Sequence, residues 1–315
     1  MRHLNHDKTP PLDFIDQVID SMSLHDGDKK IIQERKRCEE EGITPPHNQT
    51  YKERCSEIRK INKDEINKYE AAFNSDNLYA VPKGVTVRLN DVDKDCTDME
   101  SLYYFRNSKL SKLWADALST DGYLNDLCPI FESVKAKTFD HYLPKSQYQL
   151  FAVHPLNIIP CCTVCNGHKL KNLFDKNNKR KYWNAYLDKT TKEQYLFCDI
   201  TDQDGMPKAD FRVVQGKLPA RYFELVKQTF DDLKLNENYK EASDRVTVGL
   251  KNSCCNYYIK NQALGLDTCL QNIADTIYDK DVNNWEYVLK QALITAPIFK
   301  AFVKSALKQE HGITI

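Results

Sequence analysis

Residues 139–169 read FDHYLPKSQYQLFAVHPLNIIPCCTVCNGHK, and the fold expected of the chain turns on this stretch. It carries an Asp140-His141 pair, then Asn157, then Cys162-x-x-Cys165 running directly into Asn166, with Lys169 three residues on. Residues 135–142 mix β-branched, aromatic and polar side chains and are expected to form a short strand that Pro144 ends. Residues 157–160 form a second extended run. Residues 165–174 lack proline and are expected to open a helix, with Asn166 in its first turn and Lys169 on the same face. A phosphate near that helix start would meet the positive end of its dipole. The expected unit is strand–loop–strand–helix.

The residue types suit phosphodiester hydrolysis, which needs an activated water, a cation and a rigid frame. An imidazole titrates near neutrality, so His141 can take a proton from water. Asp140 and the amide of Asn166 offer hard oxygen ligands suited to Mg²⁺ or Mn²⁺, and such an ion polarises phosphate. His154 and His168 fit no part of this scheme and are expected to be structural or to contact substrate.

In order and spacing these residues resemble the HNH (ββα-metal) endonucleases. The resemblance is to a bacterial subgroup patterned Cys-Pro-x-Cys, then Asp-His-x-Leu-Pro-Lys-Ser, then Asn-Leu-x-Pro-x-Cys-x-x-Cys-Asn-x-x-Lys. Here the matching residues are Cys128-Pro129, residues 140–146 (DHYLPKS), Asn157-Ile158-Ile159-Pro160-Cys161-Cys162, Cys165-Asn166 and Lys169. The resemblance implies His141 as general base, Asp140 and Asn166 as ligands of the catalytic ion, and Asn157 as the residue that ties the loop and orients the base. It implies Lys169 beside phosphate, and it implies a structural Zn²⁺ on two cysteine knuckles. The chain departs from the pattern at the first knuckle, where Phe131 stands in place of the second cysteine. Cys128, Cys162 and Cys165 then leave one zinc position open to Glu132, Cys161 or water, or else Phe131 fills the space and no zinc binds. The subgroup commonly acts in anti-phage systems beside an ABC/SMC-like ATPase, which implies such a partner and a DNA substrate. RNA, tRNA included, is the alternative substrate, and a relic site in a nucleic-acid- or partner-binding subunit is the non-enzymatic alternative.

Composition narrows the setting. With 45 basic and 45 acidic residues among 315, the formal net charge is zero, so contact with nucleic acid must be local. The basic window is residues 169–192, with Lys169, Lys171, Lys179, Arg180 and Lys181 expected on the phosphate backbone together with Lys145. Tyr182, Trp183 and Tyr186 lie among them as candidate stacking rings for a single strand. No run of about eighteen apolar residues exists, so no membrane span is expected. Eleven cysteines, an odd number with a metal-type knuckle, and no apolar leader point to a reducing cytoplasm.

The expected fold class is α+β: a mainly helical protein with an embedded ββα-metal unit and a C-terminal helical bundle. Residues 1–100 are expected to hold an extended arm and polar helices that dock a partner, 101–200 the nuclease unit with its basic flank, and 201–315 the helical domain. Helical periods are read over 12–22, 29–41, 48–73 and 101–118, the last stripe including Phe105. A strand pair is read over 78–89, an acidic turn over 91–99, and strands at 194–200 and 210–215. Helices follow at 220–233, 239–259, 263–278 and 285–307, with breaks at Gly265 and Pro297. Cys254 and Cys255 are expected to be core thiols.

Overall fold

A computed structural model describes the chain except residues 90–91, 105–107, 121, 170–172 and 278–280, and the side chains of 89, 92, 108 and 120. Lys171 and Phe105, both assigned roles above, therefore lie outside the described residues. The residues before the first helix run without regular structure along the protein's own surface. Arg2 N–H donates to Pro129 O and Leu4 N–H to Ala185 O, with Leu4 buried. The helix α1 (Pro11–Asp20) starts on a proline and buries Phe14, Ile15, Val18 and Ile19 at three- and four-residue spacing. The charged helix α2 (Asp26–Glu40) buries only Asp28 and Cys38, as a solvated face should.

The long polar helix expected over 48–73 is two helices, α3 (Tyr51–Ile61) and α4 (Lys63–Asn74). Thr50 and Glu53 close a capping box at the start of α3. Asn62 ends it: its backbone leaves the helical region (φ −98°, ψ 22°) and its amide donates to Ile58 O at 2.9 Å. Such back-bonding is the way Asn competes with helix continuation.

The next strands are β1 (Thr86–Leu89) and β2 (Val92–Asp95), which pair as a hairpin, so the acidic turn expected at 91–99 is half strand. Residues 101–118 are likewise divided, between α5 (Thr97–Leu102) and α6 (Ser108–Leu118). A two-residue ladder, β3 (Ser119–Thr120) with β4 (Tyr123–Leu124), leads to the central hairpin. That hairpin is β5 (Thr138–His141) against β6 (Ile158–Cys161), followed at once by the six-residue helix α7 (Thr163–His168). The helix begins two residues earlier than expected because Cys162 caps it, and it ends before Lys169, whose backbone is extended. Asn166 is thus the fourth helical residue, and Lys169 does not share its helical face.

Farther on, β7 (Leu196–Gln203) and β8 (Met206–Val213) are joined by Asp204-Gly205, both at positive φ, the tight turn that suits strand twist. The helices α8 (Ala220–Asp232), α9 (Leu235–Lys260), α10 (Leu266–Thr276), α11 (Trp285–Thr295) and α12 (Pro297–His311) complete the chain. Pro297 separates the last two, as its missing N–H requires. The described residues are α+β, about 52% helical, with small antiparallel sheets and a helical C-terminus. None of their helices is long and apolar enough to cross a membrane.

Apolar side chains gather in two cores. The first joins α1, α3, α4 and α6 to Leu143, Phe151, Ile158 and Ile159. The second joins β7, β8 and α8–α12 to Phe131, Cys128, Cys161, Cys162 and Cys165. Strand β6 therefore has one end in each core.

Candidate functional site

The register of the central hairpin sets Asp140 opposite Ile159 and His141 opposite Ile158. The loop between its strands is tied by Asn157, whose side chain has no solvent exposure. Its Oδ1 accepts from Leu143 N–H at 2.8 Å and from the Tyr69 hydroxyl at 2.9 Å, and its Nδ2 donates to Leu143 O and Phe151 O, both at 3.1 Å. Each such bond contributes about 0.5–1.5 kcal/mol net, and an orphaned buried partner costs more. Asn157 holds the loop and does not reach the pocket described below. Its side chain is wholly used in holding the loop.

That loop delivers the Ala152 carbonyl to His141. The contact, 2.9 Å from Nε2, requires Nε2 to carry the proton, because a carbonyl only accepts. The neutral ring then has its lone pair on Nδ1. Burial lowers the His141 pKa to about 4, against the Ala152 bond that raises it, with Lys145 and Lys169 adding to the depression. His141 is therefore neutral over the physiological range.

Asp140 and Asn166 line the same open pocket as His141, a cavity of about 350 Å³ whose wall also includes Tyr103, Lys145 and Lys169. Asn166 Nδ2 faces Phe139 O at 3.5 Å, which turns its Oδ1 free of that contact. Lys169 folds back from the end of α7 instead of standing beside Asn166. Its Nζ donates to Asp140 Oδ2 at 2.6 Å and to Tyr142 O at 3.0 Å, and lies over the Tyr142 ring. Lys169 is thus committed to one carboxylate oxygen, and the other Asp140 oxygen has no partner among the described residues. At the rim, Lys145 Nζ donates to Glu100 at 2.9 Å and to the Tyr104 hydroxyl at 2.6 Å.

A second cluster lies at the other end of the hairpin. The sulfurs of Cys128, Cys161, Cys162 and Cys165 are all within 4.8 Å of one another and all four residues are buried. Cys128 and Cys161 sulfurs stand 3.9 Å apart, far beyond a disulfide, and every cysteine is free. Four sulfurs at about 2.3 Å from one ion sit roughly 3.8 Å apart, so the spacing suits a tetrahedral Zn²⁺. Cys165 N–H donates to Cys162 Sγ at 3.4 Å, the backbone-to-sulfur bond of a metal knuckle. Hydrogen bonds from the other three thiols pull the Cys162 pKa down, which favours a thiolate there. The choice left open by the sequence goes to Cys161. Glu132 instead faces the Met1 amino group at 2.8 Å, and Phe131 packs on Tyr239 in the second core. The cluster can hold a metal such as zinc.

The basic window behaves differently from its reading as a phosphate-binding face. Arg180 is 5% exposed and makes a two-bond fork to Asp188, 2.5 Å at each nitrogen, with further bonds to Asp76. Its guanidinium is consumed inside the protein, so it is a fold-stapling residue and not a nucleic-acid contact. Tyr182, Trp183 and Tyr186 are buried as well and offer no stacking surface. Lys179 is exposed, and Lys181 lies partly buried over the Tyr182 ring. His154 is fully buried against Tyr69, their ring centroids 4.2 Å apart, which gives it a structural role.

Three site residues were missed from sequence. Tyr69 falls within the helical period read over 48–73, and its hydroxyl completes Asn157 across 88 residues. Tyr103 packs edge-on against His141 at 4.4 Å and lines the pocket. Glu100 pairs with Lys145. Nothing in their local sequence marks them; each is recruited by a fold contact.

No protein-family model matches the chain, and no solved structure matches it. Over 107 residues the chain is 27% identical to "Protein ea31" of Escherichia phage lambda. The match takes in 33% of this chain and 34% of that protein, so the likeness spans about a third of each.

Proposed function

We propose that the chain is a metal-dependent endonuclease of the HNH (ββα-metal) type, hydrolysing phosphodiester bonds of DNA. One observation carries this reading: Asp140, His141 and Asn166 converge on one open pocket, with His141 held as the tautomer whose Nδ1 accepts a proton. In the reaction Nδ1 takes the proton of the attacking water, and the adjacent Asp140 carboxylate steadies the imidazolium that results. Lys145 and Lys169 bring positive charge to the pocket wall, which draws and orients a phosphate. Asp140 and Asn166 have the hard oxygens that Mg²⁺ or Mn²⁺ prefers, and such an ion supplies stabilisation of the leaving oxygen. In the same reading a Zn²⁺ on the four cysteines braces α7, and with it Asn166, which directly follows Cys165. The ATPase partner and the anti-phage role implied by the resemblance belong to this proposal, with the chain as the cutting subunit.

The test is incubation of purified protein with plasmid DNA and with total RNA, in Mg²⁺, in Mn²⁺ and in EDTA. Metal-dependent nicking or cutting of the plasmid is expected, abolished in His141→Ala. Cleavage of RNA alone would move the substrate to RNA. Undiminished cleavage by folded His141→Ala would remove the base from the mechanism and the proposal with it.

A further inference from the structure

Beside the candidate pocket lies a smaller cavity of about 180 Å³, walled by Tyr103, Leu110, Trp114, Lys137, Thr138 and Phe139. Tyr103, Thr138 and Phe139 line both cavities, so the slot opens along the wall of the pocket that holds His141. Three aromatic rings share its wall with Leu110, Lys137, Ser111 and Thr138. Trp114 meets Phe139 edge to face at 4.9 Å between centroids, and Tyr103 meets Phe139 at 6.4 Å and His141 at 4.4 Å. All three rings remain partly open to solvent, whereas Trp183 and Trp285, the other tryptophans, are buried. Lys137 is exposed at the edge and makes no ion pair among the described residues.

From this juxtaposition, and resting on the nuclease reading above, we propose that the slot binds an unpaired nucleobase next to the phosphate held in the pocket. The physical case has three parts. Half-open rings grouped around a slot are a poor resting place for water but a good platform for a planar base, which stacks without regard to its identity. The slot is smaller than the roughly 300–1,000 Å³ of sites for drug-sized ligands, so it suits one ring system and not a whole cofactor. A nucleotide carries an anion and a flat apolar face joined by a short sugar, and the two cavities present a polar wall with two lysines and a wall with three aromatic rings side by side. The substrate class follows. A base inside a duplex is already stacked on its neighbours, so the slot takes its base from single strands, loops, bulges or ends, and from a supercoiled plasmid only where the helix opens. The aromatic window read from the sequence at Tyr182, Trp183 and Tyr186 does not serve this role because the fold buries it. The stacking surface comes instead from α6 and β5.

Trp114 is its own reporter, since base stacking quenches indole fluorescence. The experiment titrates His141→Ala protein, which holds substrate without cutting it, with oligothymidine, with oligouridine of equal length, with a blunt duplex and with the same duplex carrying one bulged base. Quenching by the single strands and the bulged duplex, and little by the blunt duplex, is expected. Trp114→Leu in the same background should lose about 10- to 100-fold in affinity for the unpaired ligands, and Trp114→Tyr should recover most of it. Thermal melting of each variant establishes that it is folded; if Trp114→Leu melts early, the Trp114→Tyr and Lys137→Ala proteins carry the comparison. The DNA and RNA arms separate the two sources of an unpaired base. Equal affinity of folded Trp114→Leu and its parent for single strands, or equal quenching by blunt duplex, would overturn the slot. The nuclease reading is judged separately, by cleavage with His141 present: quenching without any cleavage leaves the slot standing and sinks the nuclease, and the reverse pattern does the opposite.

Discussion

The two ends of one hairpin carry two sites built on opposite principles. At the β6–α7 junction four sulfurs crowd together, all buried in the second core. At the Asp140–His141 end of β5, oxygen and nitrogen donors face an open cavity, and their neighbours include ammonium groups. Soft donors sealed from water make a closed, structural arrangement; hard donors left in reach of water make a place where something can react. Yet Cys165 and Asn166 are consecutive. The difference teaches that a single turn of helix can carry a sealed sulfur and, on the next residue, an amide that lines an open pocket.

The comparison can be broken most forcefully at the sulfurs. Elemental analysis should find one zinc per chain, and Cys161→Ala should lose it and destabilise the protein by more than about 4 kcal/mol, the range associated with a lost metal. If Cys161→Ala kept full zinc and stability while Cys128→Ala did not, Cys161 would not be the fourth ligand. At the other end, His141→Ala should lower plasmid cleavage about 10²- to 10⁴-fold, while forfeiting in stability only the Ala152 hydrogen bond and the edge-on contact with Tyr103. Should melting drop as far as in Cys161→Ala, the division into a structural and a reactive end would fail.

The loop that joins the ends offers a smaller, mixed effect. Asn157→Ala orphans Leu143 N–H, Leu143 O, Phe151 O and the Tyr69 hydroxyl, and should cost about 2–3 kcal/mol by chemical denaturation. Its activity loss should exceed that of an equally destabilising core variant, because the Ala152 carbonyl moves with the loop. Parity between the two would reduce Asn157 to a packing residue.

Acid separates stability from chemistry. His141 has a folded pKa of about 4 and His154 of about 3, both lowered chiefly by burial from an ordinary 6.5. The unfolded chain therefore binds more protons between pH 6.5 and these values, so stability falls as pH drops through that window. Cleavage per folded molecule, by contrast, should stay level from neutrality and decline only near pH 4, since His141 remains neutral above it. A limb centred near 6.5 would show that His141 is not held neutral by burial in the cleaving protein.

Several features were legible in the linear chain because they depend on near neighbours. Asp140 and His141 are adjacent on a strand that Pro144 follows, the Cys162-x-x-Cys165 spacing makes a knuckle at a helix start, and Pro297 divides two helices. The boundaries of α7 and the break at Asn62 escaped because both turn on a single side chain: the Cys162 sulfur that caps a helix and the Asn62 amide that bonds back into one. Lys169 was placed near the site without its Asp140 partner, since how the chain leaves the helix decides which carboxylate an ammonium reaches.

The order of residue types along 139–169 determined by itself that Asp140, His141, Asn166 and the Cys162-x-x-Cys165 knuckle would share one small unit, because strand, turn and cap preferences act over a few residues. Only the tertiary structure decided which groups are free to act. Arg180 is spent on Asp188 and on Asp76, 104 residues away, Cys161 becomes the fourth sulfur through Cys128 on a separate loop, and Trp114 rather than Trp183 keeps an open face. Charge and aromatic surface count for function only where solvent or ligand can reach them, and burial is set by contacts between segments that the linear order keeps apart.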